Sequence, residues 1–512
     1  MYLIMKKNII KILTGVGLIL FTFSCSKKLD LAPVSSITDG NFWQTPEQVN
    51  TFVTGIHTRF RSNTIQFIYL GEMRADIFGT DPGSNSVFTG EATQGVERIW
   101  LNTLDPDASG VGGFGGFYSN INQINLLISK LNSTNVVSVN DKNYYLGIAY
   151  GMRAFYYYQL VRSWGDVIIQ KEPTTSIDIA NLAMAASPSA EVFNFIKEDI
   201  AASENSFGSD YSFRASKGFW SKAATLMLKA EVFLWTSYRG GGTGDATIAK
   251  TALTDIQTNV PSLQLLSSFA NVFAADNKGN AEIIFAIRNG LNEASLPIAG
   301  TFLPQSGLIS NFYDSVADRQ FNPTTDNWGG LLRAPIQIAT FRRFDDSDSR
   351  KWATIQPAYD KVGGNYVIAG AFVSKYQGEQ NAGSRAYTND FPIYRYADLL
   401  LLLAEAKVAM GEDPSTEINL VRARAYGVNY DPNVQGYPNQ PIDADPKEAI
   451  LEERFKEFIF EGKRWYDLRR LGDQYVYEHT TVSQADAFRL LWPINRGALT
   501  DNSALVQNPG YQ

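Results

Sequence analysis

The chain has 512 residues, 44% hydrophobic and 19% charged, with a formal net charge of −7, 1 cysteine and 2 histidines. That composition excludes a disordered chain, and at roughly 150 residues per domain the length corresponds to about three units or one large interlocked one. One Cys and two distant His exclude an intramolecular disulfide and a Cys/His zinc site, and the acidic balance excludes the electrostatic footprint of a nucleic-acid binder.

Residues 1–24 read as a signal peptide. Lys6, Lys7 and Lys11 form a positive start, and Ile12 to Phe23 form an uncharged apolar run too short to span a bilayer. The only cysteine, Cys25, follows the small residue Ser24, where an acylated cysteine would stand after cleavage. Residues 25–40 then read as a lipidated Cys and its extended tether. The anchor would be lipid, and the body would lie outside the cytoplasm.

Thr45-Pro46-Glu47 opens a predicted helix that runs to Arg61, with Thr as N-cap and Pro in the first turn. Residues 79–117, rich in Gly, Ser and Asp and ending in GVGGFGGFY, read as one long loop. Helices follow at Tyr118–Leu131, Tyr144–Trp164 (stopped by Gly165), Glu191–Asn205 and Ser216–Tyr238 (stopped by Gly240-Gly241-Gly242). Glu282–Ile287 reads as a strand, 289–337 as irregular, and Tyr366–Tyr376 as a hairpin arm after Gly363-Gly364. Asp398–Met410 and Ala449–Leu471 are further helices, and 490–512 is coil. Helices outnumber strands and fall in small-residue-rich pairs, as in tetratricopeptide-like hairpins, though no clean 34-residue repeat runs through the chain.

Motifs for nucleotides fail. Tyr118 takes the last place of a G-x-G-x-x-G begun at Gly113, and RGGGTGD lacks the Gly-Lys-Ser/Thr ending of a P-loop. Asp105-Pro-Asp107-Ala-Ser109-Gly110 matches the first half of a calcium loop, but the twelfth position is Gly116 rather than a bidentate Glu, so an Asp-stabilised turn is the reading. The densest feature is EAILEERFKEFIFEGKRWYDLRRLG. Leu451, Phe455, Phe458, Gly462 and Trp465 make one helical stripe, with Glu453, Arg454, Glu457, Glu461, Arg464 and Asp467 spaced to pair on the other faces.

That last segment resembles the signature helix of the SusD/RagB family of surface lipoproteins from Bacteroidetes nutrient-uptake systems. The closing LLWPINRGALTDNSALVQNPGY, the central FPIYRYADLLLLLAEAKVAMG, and MRAFYYYQLVRSWGDV in the N-terminal half are similar to that family's patterns, with Ile168 where its Pro usually stands. NFWQTPEQV after a Cys-led tether also fits, so the resemblance runs from Cys25 to Tyr511. It implies a mostly α fold, with tetratricopeptide-like helical hairpins, long loops and a few short β strands. A SusD-like N-terminal part (41–270) and a RagB/SusD C-terminal part (271–512) would interlock as one unit. It further implies a non-catalytic protein without a cofactor, lipid-anchored on the outer face of the outer membrane. There it would bind an oligosaccharide or a peptide and pass it to a SusC-like TonB-dependent transporter.

The family's ligand contacts lie in variable loops, and its quoted motifs carry no binding residue across. Sugar rings pack their C–H faces on aromatics and need polar groups beside them. Trp100, Phe114, Phe117, Tyr313 and Trp328, near Arg74, Asp76, Asn327 and Arg333, are therefore the expected contacts in the two irregular regions. The rival readings are a surface glycosidase, which needs two convergent carboxylates, and a helical scaffold that binds only proteins.

Overall fold

A computed structural model describes residues 42–80, 95–111, 113–175 and 183–511. The expected signal peptide, Cys25 and the tether lie outside the described residues. Contacts separate residues 1–51, of which only 42–51 are described, from a second unit of residues 52–512.

Helix α1 spans Pro46–Arg61, and the Thr45 hydroxyl caps it by accepting the Gln48 N–H at 3.3 Å. Helix α2 (Thr64–Glu72) follows after a two-residue turn. Helix α3 begins at Gly113 and runs to Ser133, so the glycine-rich GFGGFY opens a helix rather than ending a loop. The reason is apolar: Phe114 and Phe117 set their rings 5.5 and 6.2 Å from Trp164, and that burial outweighs the weak helix propensity of Gly. Helix α4 (Val139–Trp164) is capped by Ser138 and is buried on nearly every face from Tyr144 onward, which is why it reads as apolar all round.

Helices α5 (Ser189–Phe207), α6 (Lys222–Thr236) and α7 (Gly242–Asn259) complete a run of neighbours in which α4 packs along α5 and α6 along α7. Beyond the strands come α8 (Tyr396–Ala409) and α9 (Ser415–Tyr426), with α8 laid against α7, α6 and α9. These are antiparallel helical pairs, and the expected mostly helical architecture with a few short strands is what the chain forms. Packing is continuous across residue 270: Phe155 and Trp220 touch Tyr394, ring centroids 6.4 Å apart in each case.

The strands form small sheets. β1 (Ile283–Ile287) pairs antiparallel with β8 (Phe391–Arg395), and both are buried throughout. A four-stranded sheet has the order β3-β2-β4-β5, with β2 at Tyr313–Asp314, β3 at Arg319–Gln320, β4 at Ile355–Val362 and β5 at Asn365–Val373. Gly363 and Gly364 join β4 to β5 with φ of +58° and +84°, the left-handed pair a two-residue hairpin needs. The partner strand β4 had no expectation from sequence. β6 (Glu379–Asn381) and β7 (Ser384–Ala386) make a separate ribbon.

The expected helix over Ala449–Leu471 is two helices, α10 (Pro446–Phe458) and α11 (Arg464–Leu471). Phe460 and Gly462 between them take φ of +66° and +70°, so the apolar stripe does not continue through Gly462 to Trp465. The bend is a docking point. Glu72 at the end of α2 accepts the N–H groups of Phe460 at 2.5 Å and Gly462 at 2.9 Å.

The charges of this segment pair mostly outside it rather than at i, i+3 or i+4 along one helix. Arg395 meets Glu282 at 2.8 Å, Glu457 at 2.6 Å and Glu461 at 2.8 Å, all fully buried. Glu457 also takes Arg350 at 3.1 Å and Arg424. Arg454 joins Asp398 and Asp467, and Arg470 joins Glu405 and Asp467. Most partners come from other elements, so these pairs tie α8, α9, α10, α11 and β8 together rather than stabilise one helix along its length.

Candidate functional site

The residues expected to contact ligand are mostly interior. Trp100, Phe114 and Phe117 are buried, the first in a four-residue helical turn against Gly79 and the others under α4. Trp328 is buried edge-on against Phe372, with the Arg385 guanidinium 4.5 Å above its ring. None of these rings presents a free face. Arg74 is buried between Trp465 and Trp492, donating to Asn102 at 2.7 Å and to the Leu491 carbonyl at 3.0 Å. Burial pushes its guanidinium down to about 10.

Asp76 is held by Arg464 and Arg343, each at 2.8 Å; burial opposes ionisation, but the two arginines and His479 keep its carboxyl well below the usual range. Both residues are fasteners of the core. Asn327 accepts from Ser306 at 2.7 Å, and Arg333 is half-buried. A loop in a large protein folds back onto the body, and its aromatics supply apolar area for that contact. Asp105 accepts the N–H groups of Asp107 and Ala108 at 2.9 and 2.8 Å, so a turn stands where the half calcium loop was noted.

Tyr313 is the exception. It lies half-buried on β2, opposite Tyr359 of β4. Tyr366 of β5 sits opposite Lys361, and strand alternation puts Tyr313, Tyr359, Lys361 and Tyr366 on one face. The Tyr366 ring centroid is 6.1 Å from Tyr313 and 5.9 Å from Tyr359. The Lys361 ammonium lies 4.9 Å over Tyr366 and 5.6 Å from the Tyr313 ring. The Tyr366 hydroxyl donates to Asp318, which raises the phenol and lowers the carboxyl, and Lys361 is 3.7 Å from the same Asp318. Arg319 is pinned beside them by Asp326 at 2.5 and 2.9 Å. This is a three-tyrosine surface with donors and acceptors at its rim, and those groups suit a flat, hydroxylated ligand.

Tyr366 begins the expected hairpin arm, but its pairing was not legible without β4. The signal present in the sequence was YDKVGGNY, two tyrosines set around a Gly-Gly turn with charge between them.

The two histidines are committed elsewhere. His57 Nδ1 donates to the Val53 carbonyl at 2.7 Å, and its Nε2 accepts the Trp220 N–H at 3.0 Å, so the ring is neutral. Burial pushes it down from 6.5 to about 4. The unfolded chain takes up this proton as pH falls from 6.5 toward 4 and the folded chain does not. Stability from this residue is therefore complete above 6.5 and lost through that window, by up to about 3 kcal/mol. A His57→Gln variant is expected to flatten this part of a melting temperature against pH profile. An unchanged slope would show that the ring titrates freely. His479 Nε2 lies 3.1 Å from both Glu448 oxygens, and Glu478 is beside them.

Among the described residues no helix is long and apolar enough to cross a membrane. Residues 345–511 match the family model described as "SusD family", and residues 41–234 match the one described as "Starch-binding associating with outer membrane". The structure is similar to that of NanU from B. fragilis, at 47% identity over 94% of this chain and 100% of that one, with a TM-score of 0.87. It is similar also to a SusD superfamily protein from Bacteroides vulgatus, at 40% identity over 92% and 100% of the two chains, with a TM-score of 0.84. A SusD-like protein of Formosa agariphila is 27% identical over 508 residues, 95% of this chain and 96% of its own.

Proposed function

The chain belongs to the SusD superfamily, and from that premise we propose that it is a surface glycan-binding protein without catalysis. In this reading it binds an oligosaccharide or polysaccharide on the tyrosine face and passes it to a SusC-like TonB-dependent barrel. It is held at the outer membrane by lipid on Cys25. The observation that carries the site is the placing of Tyr313, Tyr359 and Tyr366 on one accessible strand face with ring centroids about 6 Å apart. The description of the family model over 41–234 supports both the starch-like ligand class and the membrane association.

The test is affinity electrophoresis of residues 26–512 in gels cast with a panel of polysaccharides. Retardation on at least one polymer is expected. Tyr366→Ala and Tyr313→Ala should each weaken it by about 2 kcal/mol, or roughly thirtyfold, as aromatic anchors of an interface do. Retardation that both variants leave intact would remove the tyrosine face from the site. No retardation on any glycan, with binding to peptides instead, would overturn the ligand class.

A further inference from the structure

On a different part of the surface, two clefts of about 210 and 270 Å³ meet at Gly218 and Arg288, which line both. The first cleft has the His57–Phe219 ring pair, 4.6 Å apart, in its wall, together with Arg61 and Glu293. The second is lined by Lys217, Lys278 and Asp390. A Cβ on Gly218 would come within 2.5 Å of Cγ and Cδ of Arg288, so the arginine stem lies across the glycine and its position depends on that residue being Gly.

The charges here do not cancel. Glu293 is taken by Arg61 at 2.5 Å, and Asp390 is 3.9 Å from Lys278. Arg288 is exposed and has no hydrogen bond or ion pair from its guanidinium among the described residues. Lys217 is half-buried, and its ammonium donates to the neutral Asn280 carbonyl at 2.6 Å with no carboxylate in contact. Burial accordingly pushes it down to about 8. Glu293 and Asp390 also attract Arg288, but across the two clefts four cations, Arg61, Arg288, Lys217 and Lys278, face these two carboxylates, an excess of positive charge in a chain whose net charge is −7. Holding uncompensated charge in a part-buried groove is unfavourable in the free protein, and a bound anion reverses that.

We propose that the groove around Gly218, between Arg288 and Lys217, is an anion subsite that takes a carboxylate or sulfate group carried on the glycan cargo. It rests on the reading of the protein as a glycan binder. Arg288 supplies a planar pair of donors to two oxygens of the anion, Lys217 a point charge from the second cleft, and Phe219 an apolar step for the ring that bears the group.

The probe is D-glucuronate against D-glucose by saturation-transfer difference NMR on residues 26–512 at low ionic strength, where charge pairing is least screened. Glucuronate is expected to bind, and to bind about tenfold more weakly to Arg288→Met and to Lys217→Met, the loss of one charge-assisted contact. Arg496→Ala, which lines neither cleft and lies outside the tyrosine face, should leave it unchanged. Sodium sulfate displacing the glucuronate would identify a site that reads charge, and failure to displace it one that reads the carboxylate on its ring. No glucuronate signal, or equal binding to wild type and Arg288→Met, overturns the subsite. Loss of polysaccharide retardation in Tyr366→Ala with such a result would keep the glycan reading and discard only the groove. Glucuronate binding that needs Arg288, with no polysaccharide ever retarded, would do the reverse.

Discussion

Glu457→Ala is expected to leave little folded protein. The Glu457 carboxylate is fully buried, and three arginines close on it: Arg395 at 2.6 Å, Arg350 at 3.1 Å and Arg424. Burial alone would raise its pKa, but Arg424, Arg395 and Arg350 overcome that and hold it well below the usual carboxylate range. Removing one partner of a buried pair costs about 3–5 kcal/mol, because the remaining charge cannot return to water. Here Glu282, Glu461, Glu453 and Asp348 still partner the arginines, so the loss falls within that range rather than at three times it. It is still a large share of the about 5–15 kcal/mol that a protein has in total. Urea denaturation and soluble yield measure it. The matched control is Arg496→Ala, which breaks the exposed pair with Asp107 and should leave the urea midpoint essentially unchanged. Equal midpoints for the two variants would mean that the buried array is solvated.

Gly71→Ala is the second severe change, and its cause is geometric. A Cβ on Gly71 would lie 1.8 Å from the carbonyl oxygen of Gly462 and 2.4 Å from its carbonyl carbon. Both are backbone atoms, and they belong to the bend held by Glu72 through Phe460 and Gly462. No side-chain rotation relieves such a contact. The helix α2 must lift from the bend, and the two N–H groups then lose a buried acceptor. Overpacking alone costs about 1–3 kcal/mol and each orphaned buried donor about 1–3 more, so a loss above about 4 kcal/mol is expected in thermal or urea unfolding. A loss below about 1 kcal/mol would show that α2 and the bend separate freely.

What was legible in the sequence followed the strength of local pattern. Helix α4 announced itself, since an apolar run ended by Gly165 admits few alternatives, and the family patterns located the whole chain in its fold. The α10–α11 segment was misread because its spacing is helical throughout. Only the positive φ at Phe460 and Gly462, required by a contact with Gly71 nearly 400 residues earlier, breaks it. Its charges were read as pairs along one helix because sequence spacing reports i, i+3 and i, i+4 neighbours and is silent on partners such as Glu282 or Arg350. The site was least legible. Trp100 and Trp328 look like platforms in a loop-rich stretch, but burial is a tertiary property, and the tyrosines that join Tyr313 came from a hairpin whose first strand was not recognised.

The fasteners also have an order in time. Arg74 completes its hydrogen bonds only with Leu491 and Arg489, Trp164 donates to the Pro493 carbonyl, and the Trp492 N–H reaches Ser163. Arg74 and the C-terminal end of α4 therefore lack these partners until residues 489–493 have been synthesised. Loops of this length must close before such contacts reward them, which makes for slow, all-at-once maturation rather than folding in the order of synthesis. A nascent chain of this design lacks that closure until residues 489–493 arrive, and a chain truncated before Trp492 is missing the closure rather than an ornament.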